Sequence, residues 1–143
     1  MATPTNPYLN NHFRIEIDGI ALTGFTEVVL PETRADVVAY RDGNDTGTRK
    51  LAGAVHVGNL VLRRGVTKSR ELFDWWKETA DGTAHRRNIV VILQDAAAQD
   101  VKRWAILRAW PMRYTVGPLV GLDDDVTLIE TLECATEGFE VVA

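Results

Sequence analysis

Cysteine occurs once, at Cys134. A single thiol makes no internal disulfide and no cysteine metal cluster. Long apolar runs are missing as well. The longest, Ile89 to Leu93, has the size of a strand, far from the roughly 20 residues of a membrane helix. Basic excess is absent: 16 Lys and Arg against 20 Asp and Glu leave a net charge of −4. That balance gives no general attraction to nucleic acid or to an anionic membrane. The opening MATPTNPYLNNH lacks a basic n-region and an apolar h-region, so it does not read as a secretory signal, and a chain made in the cytoplasm is expected. There is no Gly-rich phosphate loop, no nucleophile elbow, no solenoid-length repeat and no low-complexity tract. What is present suits one globular core: 143 residues, 45% hydrophobic and 25% charged.

The chain is organised around Val55 to Glu78, VHVGNLVLRRGVTKSRELFDWWKE. Val55, Val57, Leu60 and Leu62 are the apolar positions of a strand, with Gly58 and Asn59 shifting the alternation as a bulge would. Arg63, Arg64 and Gly65 are expected to turn the chain, Gly65 at positive φ. Thr67 is the candidate N-cap of a helix over 67–80. Its apolar stripe is Leu72, Phe73 and Trp76, extended by Ser69 and Ala80. Lys68, Arg70, Glu71, Asp74, Lys77 and Glu78 fall largely on the other side. Asp81 and Gly82 end it, Gly82 as a C′ residue.

The remainder reads as strand. Residues 1–11 are a polar arm with two of the five prolines. Phe13, Ile15 and Ile17 alternate with Arg14, Glu16 and Asp18 in a half-buried strand over 12–18, closed by Gly19. A second strand covers 23–30 around Phe25, Val28 and Val29, stopped by Pro31. A weaker third covers 36–40. Arg41 to Gly53, RDGNDTGTRKLAG, is expected as a long loop, and long loops in compact domains are usually functional. Residues 88–94 form a strand covered on both faces, followed by a turn at 96–100. Residues 101–110 carry bulk on both faces, with Trp104, Ile106 and Trp110 in one row, and Pro111 is expected to end them. A loop over 117–125 precedes a closing strand over 126–142, broken near Glu137 and Gly138. About seven strands and one helix imply a mainly β fold: a closed or nearly closed antiparallel barrel of two packed sheets with one flanking helix. So many doubly covered strands leave apolar patches outside, and such patches mark contact with other chains.

No constellation reads as an active site. Asp42, Asn44 and Thr46 resemble the start of a calcium loop, yet the twelfth position is Gly53, where a bidentate glutamate is needed. Asp123, Asp124 and Asp125 read as a solvated acidic loop. His12, His56 and His85 stand at no metal spacing. Cys134 lies in a strand and reads as a small buried hydrophobe. Glu130 shares its row with Val126, Leu128, Leu132 and Cys134, so it needs a cationic partner, with an arginine the obvious one. Arg63, Arg64, Arg86, Arg87 and Arg103 are either surface charge or partners of carboxylates on neighbouring copies. Catalytic, cofactor and metal residues are therefore expected to number none.

Six pieces taken together carry a resemblance: FRIEIDGIALTGFTEV (13–28), RDGND (41–45), KLAGAVHVGNLVLRRG (50–65), FDWW (73–76), RWAILRAWP (103–111) and VTLIETLECATEGFEVV (126–142). In this order the chain resembles the inner tube protein of contractile phage tails and phage-tail-like injection systems. That resemblance implies a barrel-like fold with one flanking helix, shared with the ring protein of type VI secretion. It implies hexameric rings stacked into a hollow tube inside a sheath, driven through a target envelope on contraction. Implied partners are further copies of the chain, the sheath protein, baseplate and tube-initiator proteins, and cargo in the lumen, with no cofactor and no enzymatic activity. The product would be made in a bacterial cytoplasm and built into a tail or injection particle. Stacking falls to residues 1–11 and to Arg41, Asp42, Asn44, Asp45, Arg49, Lys50 and Leu51. Charge pairing falls to Arg63, Arg64, Arg86, Arg87 and Glu130. A sheath-facing helix surface falls to Arg70, Glu71, Asp74, Lys77 and Glu78. Two other classes stand beside this: a monomeric ligand-binding barrel, with an apolar pocket inside, and an enzyme using Cys134 or the aspartate loop.

Overall fold

The computed structural model describes residues 6–44, 46–121 and 126–143. Among the described residues ten antiparallel strands and one helix follow one another. β1 (Phe13–Ile17) buries Ile15 and Ile17 and is joined to β2 (Ile20–Leu22) by Asp18 and Gly19, both at positive φ. This is the Asp-Gly two-residue hairpin, in which both central residues sit left-handed; β2 is a strand that the alternation of apolar residues does not predict. β3 (Phe25–Val29) leads through Pro31 into β4 (Thr33–Tyr40), and β5 (Arg49–Val57) leads through Gly58 and Asn59 into β6 (Leu60–Gly65). β3 pairs with β6, and β4 with β5. The four segments are therefore one long ribbon with a bend. At the bend the Gly58 N–H donates to the Glu32 carbonyl at 2.7 Å, and a Cβ on Gly58 would stand 3.3 Å from the Glu32 backbone N and O.

After β6 the chain crosses through α1 (Glu71–Ala80) to β7 (Arg87–Gln94), then β8 (Asp100–Val116), β9 (Ile129–Ala135) and β10 (Gly138–Val141). The 17-residue β8 unites two sheets. Its first half lies between β7 and β10 in a sheet ordered β2-β1-β7-β8-β10. Its second half pairs with β9 in a sheet ordered β8-β9-β6-β3. The hinge between them is Arg108, at φ +53°, whose N–H donates to Asn88 Oδ1 at 3.0 Å. A left-handed residue breaks the pleat, so Ile106 and Ala109 both point inward although they are three apart. Between the sheets lies one core, including Ile15, Leu60, Leu62, Ile89, Ile106, Leu132 and Cys134, with Leu72 and Trp75 contributed by the helix.

Several sequence expectations are corrected here. The strand path is open, with β2 and β3 at its two ends, so the described residues form two packed sheets and not a closed barrel. Pro111 does not end its strand; it faces Cys134 in register, and the ladder shifts immediately after it, where a missing N–H is tolerated. Arg63, Arg64 and Gly65 are strand, not turn, and Gly65 is not among the positive-φ residues. The helix begins at Glu71. Thr67 does not cap it: its Oγ1 accepts the Ser69 N–H at 3.2 Å, while Ser69 Oγ accepts the Glu71 N–H at 3.4 Å. Buried on the helix are Leu72 and Trp75, whereas Trp76 is only half-buried. The C-terminus matches expectation. Gly82, at φ +92°, donates to the Thr79 carbonyl and Thr83 to the Glu78 carbonyl, the paired bonds of a Schellman motif.

Candidate functional site

The expected loop over 41–53 is shorter than its polarity suggests. Arg49, Lys50 and Leu51 belong to β5, in register with Tyr40, Ala39 and Val38, and only residues 41–48 join the strands. The strand was hidden because the ribbon formed by β4 and β5 stands away from the core. Almost every residue in it is exposed, so no buried row marks the alternation. Arg41, Asp42 and Asn44 lie at its tip, where Asp42 Oδ1 accepts the Gly43 N–H at 2.9 Å. Asp45, and the aspartates 123–125, lie outside the described residues.

The ribbon has two unlike faces. One carries Thr33, Ala35, Val37 and Ala39 against Val57, Val55, Ala52 and Lys50, nearly all apolar. Val37 is 66% exposed and Val55 73%. The other carries Arg34, Asp36 and His56 at its base, tied by Arg34 Nη1 to Asp36 Oδ1 at 3.1 Å and by His56 Nε2 to Asp36 Oδ2 at 2.8 Å. Val38, Leu51 and Tyr40 continue it towards the tip. A side chain at Gly53 would crowd this face, since a Cβ there would stand 3.0 Å from Val38 Cγ2 and 3.3 Å from the Asp36 carbonyl oxygen. The apolar valines were in the sequence to be seen, but nothing short of the pairing register placed them together on one exposed face.

Further apolar groups stand outside the body. Leu119, Val120 and Val126 are exposed where the β8–β9 connection borders an open recess of about 550 Å³. Tyr8 and Leu9 are exposed on the arm, whose described part, residues 6–12, has no regular structure and is anchored where the Gln94 N–H donates to the His12 carbonyl.

Arg63, Arg64, Arg86, Arg87 and Arg103 each meet carboxylates of their own chain. Arg63 reaches Glu27 at 2.7 Å, Arg86 reaches Glu137 at 2.7 Å, and Arg87 reaches Glu78 at 3.3 Å while its guanidinium lies over Trp75. Arg103 and Arg14 share Asp100, at 3.1 and 3.3 Å, with Gln94 Nε2 also donating to it. That amide, then the two guanidiniums, holds the Asp100 carboxyl below its ordinary value. The buried partner of Glu130 is Arg64. Arg64 also donates to Glu71 Oε2 at 3.0 Å, and Tyr114 Oη donates to Glu130 Oε2 at 2.6 Å. Burial first and the Glu130 carboxylate second push the Tyr114 phenol up to about 12. Burial likewise pushes the Cys134 thiol up to about 12, which makes it a poor nucleophile.

The helix surface sorts itself accordingly. Glu71 and Glu78 also pair with the body, with Arg64 and with Arg87 and His85, and the Glu71 side chain stays 55% exposed. Arg70, Asp74 and Lys77 remain on the outside, the first two 3.6 Å apart.

The fold recurs in solved structures. The fold aligns with a chain of the sheath–tube complex of PVC, an extracellular contractile injection system, in the extended state, with a TM-score of 0.86, 21% identity, and 96% of this chain and 92% of that one covered. It aligns with a chain of the tube-terminating cap of the anti-feeding prophage at TM-score 0.90 and 16% identity, covering 99% and 95%. Hcp1 from Flavobacterium johnsoniae is more distant, at TM-score 0.54 and 16% identity, covering 91% and 94%. No curated protein sequence matches the chain. The family model described as T4-like virus tail tube protein gp19 matches residues 9–140. With that match spanning almost its whole length, the chain belongs to the T4-like tail tube protein family.

Proposed function

We propose that this chain builds the inner tube of a contractile particle as rings of six copies, stacked and held inside a sheath, and that its role is structural rather than enzymatic. The observation that carries this is the ribbon of β4 and β5. A two-stranded hairpin alone in water is marginal at best, and this one is a sheet of two strands among the described residues, with apolar side chains facing out. It is completed by neighbouring copies, with Arg41, Asp42, Asn44, Asp45, Arg49, Lys50 and Leu51 at the joints between rings and the arm over 1–11 alongside them. Arg70, Glu71, Asp74, Lys77 and Glu78 are the helix residues that meet the sheath. The sheath–tube, baseplate and cap assemblies in which similar folds occur support the same set of partners.

Negative-stain microscopy of the concentrated protein tests the reading directly. Rings or rods are expected. A single-copy species at every concentration, by microscopy and by mass, would overturn it.

A further inference from the structure

The sequence holds three Asp-Gly pairs and no Asn-Gly pair. An aspartate followed by glycine lets a backbone nitrogen approach a side-chain carboxyl with no Cβ in the way. Closing a ring between them needs the carboxyl turned to the nitrogen that follows it, with neither group engaged elsewhere. Orientation of this kind, held before reaction, sets which pair reacts.

Two of the pairs fail that requirement. Asp18 turns its carboxyl to another strand, where Oδ1 accepts the Asn88 N–H at 3.1 Å and Oδ2 stands 3.9 Å from Arg87 Nε. In Asp81-Gly82 the nitrogen is the engaged group, because the Gly82 N–H donates to the Thr79 carbonyl at 3.0 Å. Asp42-Gly43 differs from both. There the Gly43 N–H donates to Asp42 Oδ1 at 2.9 Å, so the atoms of the ring are already bent towards closure. The pair lies beyond the last rung of the ribbon, Tyr40 with Arg49, so no ladder bond of β4 with β5 fixes its torsions. Both residues are exposed, and nothing stands within 4 Å of where a Gly43 Cβ would be.

We propose that Asp42-Gly43 is a site of spontaneous backbone modification, and that its product is an isoaspartyl residue. The Gly43 nitrogen attacks Cγ of the protonated Asp42 carboxyl. An N–Cγ bond forms, the bond from Cγ to the hydroxyl breaks, and the amide proton leaves with that hydroxyl as water. The resulting cyclic imide takes water back at one of its two carbonyls. Opening at Cγ restores aspartate. Opening at the former main-chain carbonyl breaks the original peptide bond, so the chain runs on through Cβ and Cγ and the α-carboxylate becomes the side group. Nothing is oxidised or reduced, and the mass returns to its starting value. An isoaspartyl residue is the methyl acceptor of carboxyl methyltransferases specific for that linkage, which makes such an enzyme the partner of the modified tip.

The chemistry needs no second copy. Its use rests on the tube reading above, in which this tip is a joint between rings. Packing against the next ring holds the tip still and slows closure, whereas dispersed copies react. An isoaspartyl tip carries an extra carbon in its backbone and no longer fits the joint. The site is then a timer that retires copies left outside a tube.

The test holds dispersed subunits at neutral pH and physiological temperature for weeks. Samples are then denatured and cut with endoproteinase Asp-N, which cleaves before aspartate and not before isoaspartate. Cleavage before Asp42 is expected to be lost from most of the material, while cleavage before Asp18 and Asp81 is kept. The same samples gain labelled methyl groups from an isoaspartyl methyltransferase. Gly43→Val, whose branched side chain obstructs the nitrogen, and Asp42→Glu, which would need a larger ring, gain almost none. Full retention of the Asp42 cut would overturn the site, and loss at all three pairs alike would show that the fold selects nothing and overturn it equally. Tubes held alongside are expected to keep the Asp42 cut; its loss there at the dispersed rate would overturn the timer. Absence of tubes by microscopy at the start is instead the failure of the tube reading, and the result from dispersed subunits does not depend on it.

Discussion

Arg64 and Glu130 meet inside the protein: Nε donates to Oε1 at 3.1 Å, and each side chain is only 4% exposed. The guanidinium also reaches Glu71 on α1, so one buried cation ties the helix to the second sheet. Breaking such a pair from one side leaves a charge without compensation. Arg64→Ala is expected to cost about 3–5 kcal/mol, read as a lowered urea midpoint with an unchanged slope. Replacing both partners, as Arg64→Met with Glu130→Leu, removes the uncompensated charge and costs less than Arg64→Ala alone. A double variant as unstable as the sum of the two singles would contradict this account.

Alkaline pH acts through two other groups, one buried and one half-buried. Cys134 and Tyr114 have ordinary values of 9.0 and 10.0, and both are pushed up to about 12 in the folded protein. The folded state thus keeps protons that the unfolded chain releases. By linkage, their contribution is complete below pH 9, declines as the unfolded thiol and then the unfolded phenol ionise, and is gone above about 12. Thermal midpoints should fall from pH 9 upward. Cys134→Ala should flatten the first part of that fall, and Tyr114→Phe the second.

The helix end offers a local test. Gly82 sits at φ +92°, with open space where a Cβ would go, so any cost of substitution is conformational rather than steric. Gly82→Ala is expected to destabilise by about 1–2 kcal/mol. A fully neutral outcome in a denaturation curve would mean that the Schellman bonds of Gly82 and Thr83 are not formed in solution.

On the ribbon, stability and assembly separate. Val37 and Val55 are exposed in the single copy, so Val37→Asp with Val55→Asp should change the unfolding free energy of dispersed subunits only by the small amount typical of surface changes, about ±0.5 kcal/mol for each. The same pair should abolish rings and rods under the microscope, because the aspartates would be buried without partners between copies. Normal tubes from the double variant would remove the apolar face of the ribbon from the interface.

Local signals carried much of the fold into the sequence. The alternation of Phe13, Ile15 and Ile17, the stripe through Leu72, the run Ile89 to Leu93 and the stop at Gly82 each reflect a residue's own backbone or its immediate neighbours, and each was legible. So was the burial of Glu130 in an apolar row, which demanded a cation. The Asp18-Gly19 hairpin is equally local, but the three residues of β2 are too few to show an alternation.

What tertiary structure alone decided was pairing. Pro111 looks like a terminator until β9 lies beside it, and Arg49 to Gly53 look like loop until β4 supplies the register. Which carboxylate each arginine meets depends on strands far apart in the chain: Arg64 and Glu130 are 66 residues apart and meet only because β6 lies against β9. Composition and periodicity determine which side chains seek the interior, since burial is paid residue by residue. Which surfaces are left over for other copies follows from the order of strands across the sheets, and that order is set by contacts no local stretch contains.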